Sequence, residues 1–257
     1  MVALIAAVAI FLSVAMALAW EIQRRTTNSG WADVVWSFAT GAAGVIFALA
    51  PLDHAPLPPR QILIACLVTL WSVRLGLHLL ARTRSEREDA RYAHFRAEWG
   101  SDFQRRMFWF LQIQAAASAL LCLSMLFAAR NPHPLGWLDA AGLAVLIIAV
   151  TGEGLSDAQL RRYRASATHG AICDQGFWKY SRHPNYFFEW LGWCAYPLFA
   201  LSGGNWIGVL ALTGPAFMYV LLVHVSGIPP LEQHMERSRG PAWRLYVART
   251  RPFLPLP

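Results

Sequence analysis

Trp71, Arg74, His78 and Arg82 recur at i, i+3, i+7 and i+11 inside an otherwise apolar stretch. At about 100° per residue they fall on one face of a helix. Arg82 can snorkel to the membrane surface, whereas Arg74 lies roughly 10 Å deeper at about 1.5 Å per residue and needs either a partner or a lined cavity. A second stripe runs through Glu153, Asp157, Arg161 and Arg164, spaced i, i+4, i+8 and i+11, with Arg162 pointing away. Alone it is a salt-bridge ladder on a solvated helix; here it extends an apolar helix into the most basic face of the chain. A third group opens at Tyr180-Ser181-Arg182-His183-Pro184-Asn185-Tyr186. Pro184 suits a first helical position. A helix start preceded by Arg and His favours anions, because its free N–H groups and dipole point at them. Asn185 and Glu189 then share a face, and a carboxylate there calls for an amide, hydroxyl or guanidinium donor. Asp33 is either an acid stabilising the first turn of its helix or a fourth member of this set, with His224 and Arg244 further along.

The elements that position these groups are membrane helices. Only 14% of the 257 residues are charged and 56% are apolar, against roughly 25% charged in a soluble domain. Apolar stretches of about 20 residues, the length of a span, occur at 1–20, 31–51, 61–81, 107–129, 135–153, 185–203 and 205–225. The reading is one all-α polytopic domain of seven transmembrane helices with a tail at 226–257. Turns are expected at Asn28-Ser29-Gly30, Asp53-His54-Ala55-Pro56, Asn131-Pro132-His133-Pro134 and Gly203-Gly204-Asn205. The first span has no basic segment ahead of it and is read as a retained helix rather than a signal peptide. Of the 22 Lys and Arg, 19 fall in four connections that share one face. The positive-inside rule then puts the N-terminus outside, the C-terminus in the cytosol and the candidate site on the cytosolic side of the membrane.

A net charge of +7 is largely that rule at work. Basic residues spread over loops between spans argue against nucleic acid, and no 20–50-residue repeat supports an inverted-repeat transporter. Cys66, Cys122, Cys173 and Cys194 show no disulfide or metal spacing, so no metal is expected. No G-x-G-x-x-G or P-loop is present, and Gly41-Ala-Ala-Gly44 is a helix-packing pattern.

The stretch from Gly176 to Trp190, Gly-Phe-Trp-Lys-Tyr-Ser-Arg-His-Pro-Asn-Tyr-Phe-Phe-Glu-Trp, resembles the bacterial membrane relatives of steroid 5α-reductases. Their pattern is close to G-L-W-x-Y-S-R-H-P-N-Y-F-G-E-W. The resemblance extends to Arg74-Leu-Gly-x-His78, Glu88-Asp-Ala-Arg-Tyr92, Glu153-x-x-x-Asp157-x-Gln159, Ser226-Gly-Ile-Pro-Pro-Leu-Glu232 and the tail from Tyr246 to Pro257. It covers residues 70–257 well and the first 60 weakly. It implies a seven-helix reductase that uses NADPH to reduce the carbon–carbon double bond of an enone such as a Δ4-3-oxosteroid. It also implies that Asn185 and Glu189 bind the cofactor with Asp157 and Arg164. Arg91, Tyr92, Tyr180, Arg182, His183 and Tyr246 fall in its cytosolic motifs, and Arg91, Arg164, Arg182 and Arg244 are expected at the phosphates. Arg74, Glu153, Arg161 and His224 complete the expected cofactor set.

Two positions depart from the family. Phe188 stands where the family has Gly before its Glu. Trp71 stands where relatives hold the substrate carbonyl with Tyr, and Asp33 is the nearest match to their acid on the second span. The expected chemistry is hydride delivery to the β-carbon while charge builds on the carbonyl oxygen, with protonated Asp33 and Trp71 as donors there. The substrate, a steroid-like or other apolar enone, enters from the bilayer, and the protein is expected to be a monomer in contact with membrane lipid. Two other classes remain open. One is an S-adenosylmethionine-dependent methyltransferase of the isoprenylcysteine or phospholipid type, which also carries Arg-His-Pro-x-Tyr. The other is a non-catalytic sterol- or lipid-binding protein.

Overall fold

A computed structural model describes residues 1–51, 57–85, 90–166 and 172–255. Its elements are helical throughout these residues. In order they are α1 (Val2–Thr26), α2 (Gly30–Leu49), α3 (Pro59–Ser85), α4 (Ala90–Trp99), α5 (Phe103–Ala129), α6 (Trp137–Ser166), α7 (Pro184–Trp193), α8 (Ala195–Leu201), α9 (Thr213–Val220), α10 (Ile228–Arg239) and α11 (Pro241–Arg249). Among the described residues, six helical stretches are long and apolar enough to cross a bilayer: Val2–Thr26, Gly30–Leu49, Pro59–Ser85, Arg91–Ala129, Trp137–Ser166 and Trp206–Arg239. The molecule is therefore a multi-pass membrane protein.

The expected span at 185–203 is not one helix but two, α7 and α8, meeting at Cys194. The cause is Pro197, which lacks an N–H for the Trp193 carbonyl and crowds it. The expected span at 205–225 is also irregular. It begins as tight turns over Trp206–Leu212, passes through α9 and ends in a wider turn in which Ser226 N donates to Leu221 O at 2.8 Å.

Turn residues act where the sequence places them. Asn28 Oδ1 accepts from Gly30 N at 2.9 Å and starts α2. Asn131 Nδ2 lies 2.9, 3.1 and 2.8 Å from the carbonyls of Phe199, Ala200 and Ser202, tying the α5–α6 turn to the end of α8. The turn at Asp53–Pro56, together with Glu88, Asp89 and Pro257, lies outside the described residues.

Helix α2 packs on α1, α3 and α5, while α6 packs on α7 and α8, and α5 and α8 join the two groups. Gly41 and Gly44 allow the first group to close, since a side chain at either would strike Ser72 of α3 or Met125 of α5. Helices α3 and α6 run parallel and meet through charged side chains. Arg60 pairs with Asp139, Arg74 with Glu153 and His78 with Asp157. Each pair is separated by 79 residues, so the two helices keep one register from end to end.

Candidate functional site

The first two stripes face each other across the α3–α6 seam. Arg74, on α3, forms an ion pair with Glu153 and lies 3.6 Å from Asp157, both on α6. One turn further along, His78 is 3.7 Å from Asp157 and 3.2 Å from Arg161. Asn185, in the first turn of α7, donates to Asp157 at 3.3 Å. Glu189, one turn deeper, accepts from Trp71 at 2.9 Å and from Trp193 at 2.9 Å. Glu153, Asp157 and Glu189 are all buried. Three elements therefore bring three carboxylates, one carboxamide, one imidazole and two guanidiniums together at the basic end of the bundle.

The close approach of α6 and α7 depends on Gly152. Phe188 lies flat against it, and any side chain there would overlap the ring. Phe188 is buried and also meets Phe177 and Phe187 edge-on. The large residue at this position is thus matched by a missing one on the facing helix, and the fit sets Glu153, beside Gly152, against α7.

The cluster has unspent donor capacity. Arg74 Nε is buried without a hydrogen-bond partner among the described residues. A buried guanidinium donor left unpaired costs about 1–3 kcal/mol, so an acceptor delivered by a ligand would be favoured there. The carboxylates retain acceptor capacity too, since each can take about four hydrogen bonds.

Two expected donors are committed elsewhere. The Trp71 indole N–H is spent on Glu189, and its ring is wedged between Trp36 and Trp193. Asp33 accepts on both oxygens, from Tyr92 at 2.8 Å and Arg91 at 2.8 Å, with Arg82 at 3.6 Å. This carboxylate ties α2 to α3 and α4. Proton donation by Asp33 and carbonyl binding by Trp71 do not fit these contacts.

A family model described as "Protein of unknown function (DUF1295)" matches residues 19–250. The chain belongs to this family. The chain is also similar to an uncharacterised protein of Schizosaccharomyces pombe, 24% identical over 265 residues that cover 92% of this chain and 75% of the relative. No solved structure matches.

The remaining expected residues of this DUF1295 chain serve the tail or the surface. Arg182 donates to Glu232 at 2.8 Å and to the Thr250 carbonyl, and its N–H reaches Arg251 O at 2.9 Å. His183 meets the same Glu232 oxygen at 3.0 Å. Tyr246 OH donates to the Trp178 carbonyl, and Ser181 Oγ donates to Phe253 O at 2.8 Å. Burial lowers the His183 pKa and raises that of Tyr246. Burial works against the Glu232 carboxylate, but hydrogen bonds from His183 and Arg182 outweigh it and bring the group down to about 2. Arg182, His183 and Tyr246 thus clamp the tail onto the start of α7. Tyr180, Arg161, Arg164 and His224 are exposed, with Lys179 over the Tyr180 ring and the His224 ring against Tyr219. Arg244 is exposed and pairs with Glu236 at 2.7 Å.

Sequence reasoning passed over Glu232 as the tail's anchor and Trp193 as the second indole on Glu189. Trp193 was detectable, because it stands at i+4 from Glu189.

Proposed function

We propose that the chain is a seven-span membrane reductase that uses NADPH to saturate the carbon–carbon double bond of an apolar enone, with Δ4-3-oxosteroids as the first substrates to try. In this reading α7 and α8 together make one span, the N-terminus lies outside, and the basic end faces the cytosol of a bacterial inner membrane. The observation that carries the proposal is the gathering of Arg74, Glu153, Asp157, Asn185 and Glu189 between α3, α6 and α7, with a buried Arg74 donor still unspent. It is joined by the Gly176–Trp190 motif, whose Asn and Glu are the two residues that enter this cluster.

The residues present fit the cofactor. Asn185 and Glu189 offer a carboxamide and a carboxylate on one helix face, the complement of a nicotinamide amide. Exposed Arg161 and Arg164 continue the same α6 face outward, where phosphates would lie. When bound, NADPH supplies the hydride. The chain's own work is placement. Trp71 and Trp193 hold the Glu189 carboxylate in one orientation, Asp157 holds Asn185, and the Arg74 guanidinium supplies a buried donor for an electron-rich oxygen. One such donor is worth about 3 kcal/mol where charge develops.

The test is equilibrium titration of detergent-purified full-length protein with NADPH and, separately, with S-adenosylmethionine. NADPH binding that weakens at least tenfold in Asn185→Ala is the expected result. Binding of S-adenosylmethionine without NADPH overturns the proposal in favour of methyl transfer, and binding of neither overturns it in favour of a non-catalytic protein.

A further inference from the structure

Away from this cluster, a groove of about 460 Å³ opens on the outer side of α5, lined by Trp99, Arg105, Arg106, Trp109, Phe110 and Ile113. Its floor is aromatic. Trp99 stacks on Phe95 with centroids 4.7 Å apart and planes 6° apart, and it meets Phe110 edge-on at 6.3 Å. Its outer wall is the ridge Arg105, Trp109 and Ile113, spaced i, i+4 and i+8. Trp109 and Ile113 are 63% and 68% exposed and form a continuous apolar ridge on the outer face of this span. Polarity changes along the groove: guanidinium groups stand at the basic end of α5, then come indole and phenyl rings, then Ile113 toward the middle of the span.

We propose that this groove is a binding site for a phospholipid of net negative charge, its phosphate at Arg105 and Arg106 and one acyl chain along Trp99, Trp109, Phe110 and Ile113. Three observations select this occupant. The groove lies on a helix long and apolar enough to span a bilayer, so its open side faces lipid. Trp at the boundary between charged and apolar segments marks the headgroup level. The local charge fits a single anion, because Asp102 stands 3.5 Å from Arg105 and offsets one of the two cations. A guanidinium pair suits phosphate through parallel N–H bonds, and basic clusters at span ends attract anionic lipid.

The site also has a structural consequence. Helix α4, which ends at Trp99, carries Arg91 and Tyr92, the groups that grip Asp33. A lipid seated on Trp99 braces α4 at the end opposite that grip.

Native mass spectrometry of the full chain, released from nanodiscs of equimolar phosphatidylglycerol and phosphatidylcholine, tests the proposal. One retained phosphatidylglycerol per chain is expected, with retention falling at least tenfold in Arg105→Ala/Arg106→Ala. Both side chains are exposed, so the fold should tolerate the change. Ile113→Asn provides a second variant that leaves the cations intact and should reduce retention through the acyl contact. Equal retention of the two lipids, or unchanged retention in both variants, overturns the proposal. So does a dimer that Ile113→Asn dissolves, which would make the groove a contact between two copies.

Discussion

Helices α3 and α6 are joined at both ends by the same kind of bond, and the two ends differ in completeness. At one end Arg60 forms a two-pronged pair with Asp139, both contacts at 2.8 Å. The remaining guanidinium N–H groups reach the carbonyls of Asn131 at 3.0 Å and Pro134 at 3.0 Å, while Asp139 also accepts from Gly136 N and Ser202. Fourteen residues further along each helix, about 21 Å at 1.5 Å per residue, Arg74 meets Glu153. There Arg74 Nε has no acceptor among the described residues, two carboxylates share its guanidinium, and a third, Glu189, is held only by two indoles. Register, helices and residue types are common to both ends. What separates them is the number of neighbouring carbonyls and donors. The closed end is a fastener, and the open end has the unspent valence of a binding site.

The largest expected effect breaks the closed end. Arg60→Met leaves a buried carboxylate without its cation and three carbonyls, those of Asn131, His133 and Pro134, without this donor, and should destabilise the protein by about 3–5 kcal/mol, read as a fall in thermal midpoint in detergent. A loss below 1 kcal/mol would show that this pair is no fastener. Next comes the fit that seats the open end. Gly152→Ala drives a methyl group into the Phe188 ring and should cost about 1–3 kcal/mol of stability. Pairing it with Phe188→Leu should recover part of the loss, and strict additivity of the two changes would remove Gly152 and Phe188 as a coupled pair. Asn185→Ala removes one half-exposed hydrogen bond and should cost no more than about 1 kcal/mol of stability, while NADPH binding falls at least tenfold. The opposite pattern, lost stability with binding kept, would make the open end structural too.

The smallest effect concerns the tail clamp. The His183 pKa lies below its ordinary 6.5, so the released tail takes up a proton there before the docked one does. Docking strength is complete above pH 6.5 and weakens as the pH falls below it. Glu232, held at about 2 against an ordinary 4.5, adds a loss in the same direction between pH 4.5 and 2. Protection of the amides across 246–255, taken relative to their intrinsic exchange rate at each pH, should therefore fall on acidification, and less so in His183→Gln. Protection indifferent to pH below 6.5 would dissociate the clamp from both groups.

The open end was legible in the sequence because its groups lie in periodic stripes. Spacing placed Arg74 and His78 on one helix face and Glu153, Asp157 and Arg161 on another, and a charged stripe inside an apolar helix has few places to go. The closed end was not legible. Arg60 reads as an ordinary basic residue at a span boundary, and Asp139 stands 79 residues away with no periodic companion. Asp33 reads as an isolated acid because its partners lie 49 or more residues downstream. The motif around His183 reads as an anion site because helix starts attract anions, but the carboxylate that arrives is the chain's own Glu232. Broken spans were hidden for a related reason: hydropathy records composition, and the single Pro197 that parts α7 from α8 barely alters it.

That break bears on how the protein is made. Helices α7 and α8 hold 10 and 7 residues, about 15 and 10 Å of rise against a hydrocarbon layer of about 30 Å. With Glu189 and Asn185 on the first piece and a freed carbonyl at the joint, the segment is a poor substrate for insertion by itself. Helix α6 supplies Asp157 for Asn185, and α3 supplies Trp71 for Glu189. Both are synthesised earlier. The order of the chain thus provides a receptor in the membrane before its most polar span leaves the ribosome.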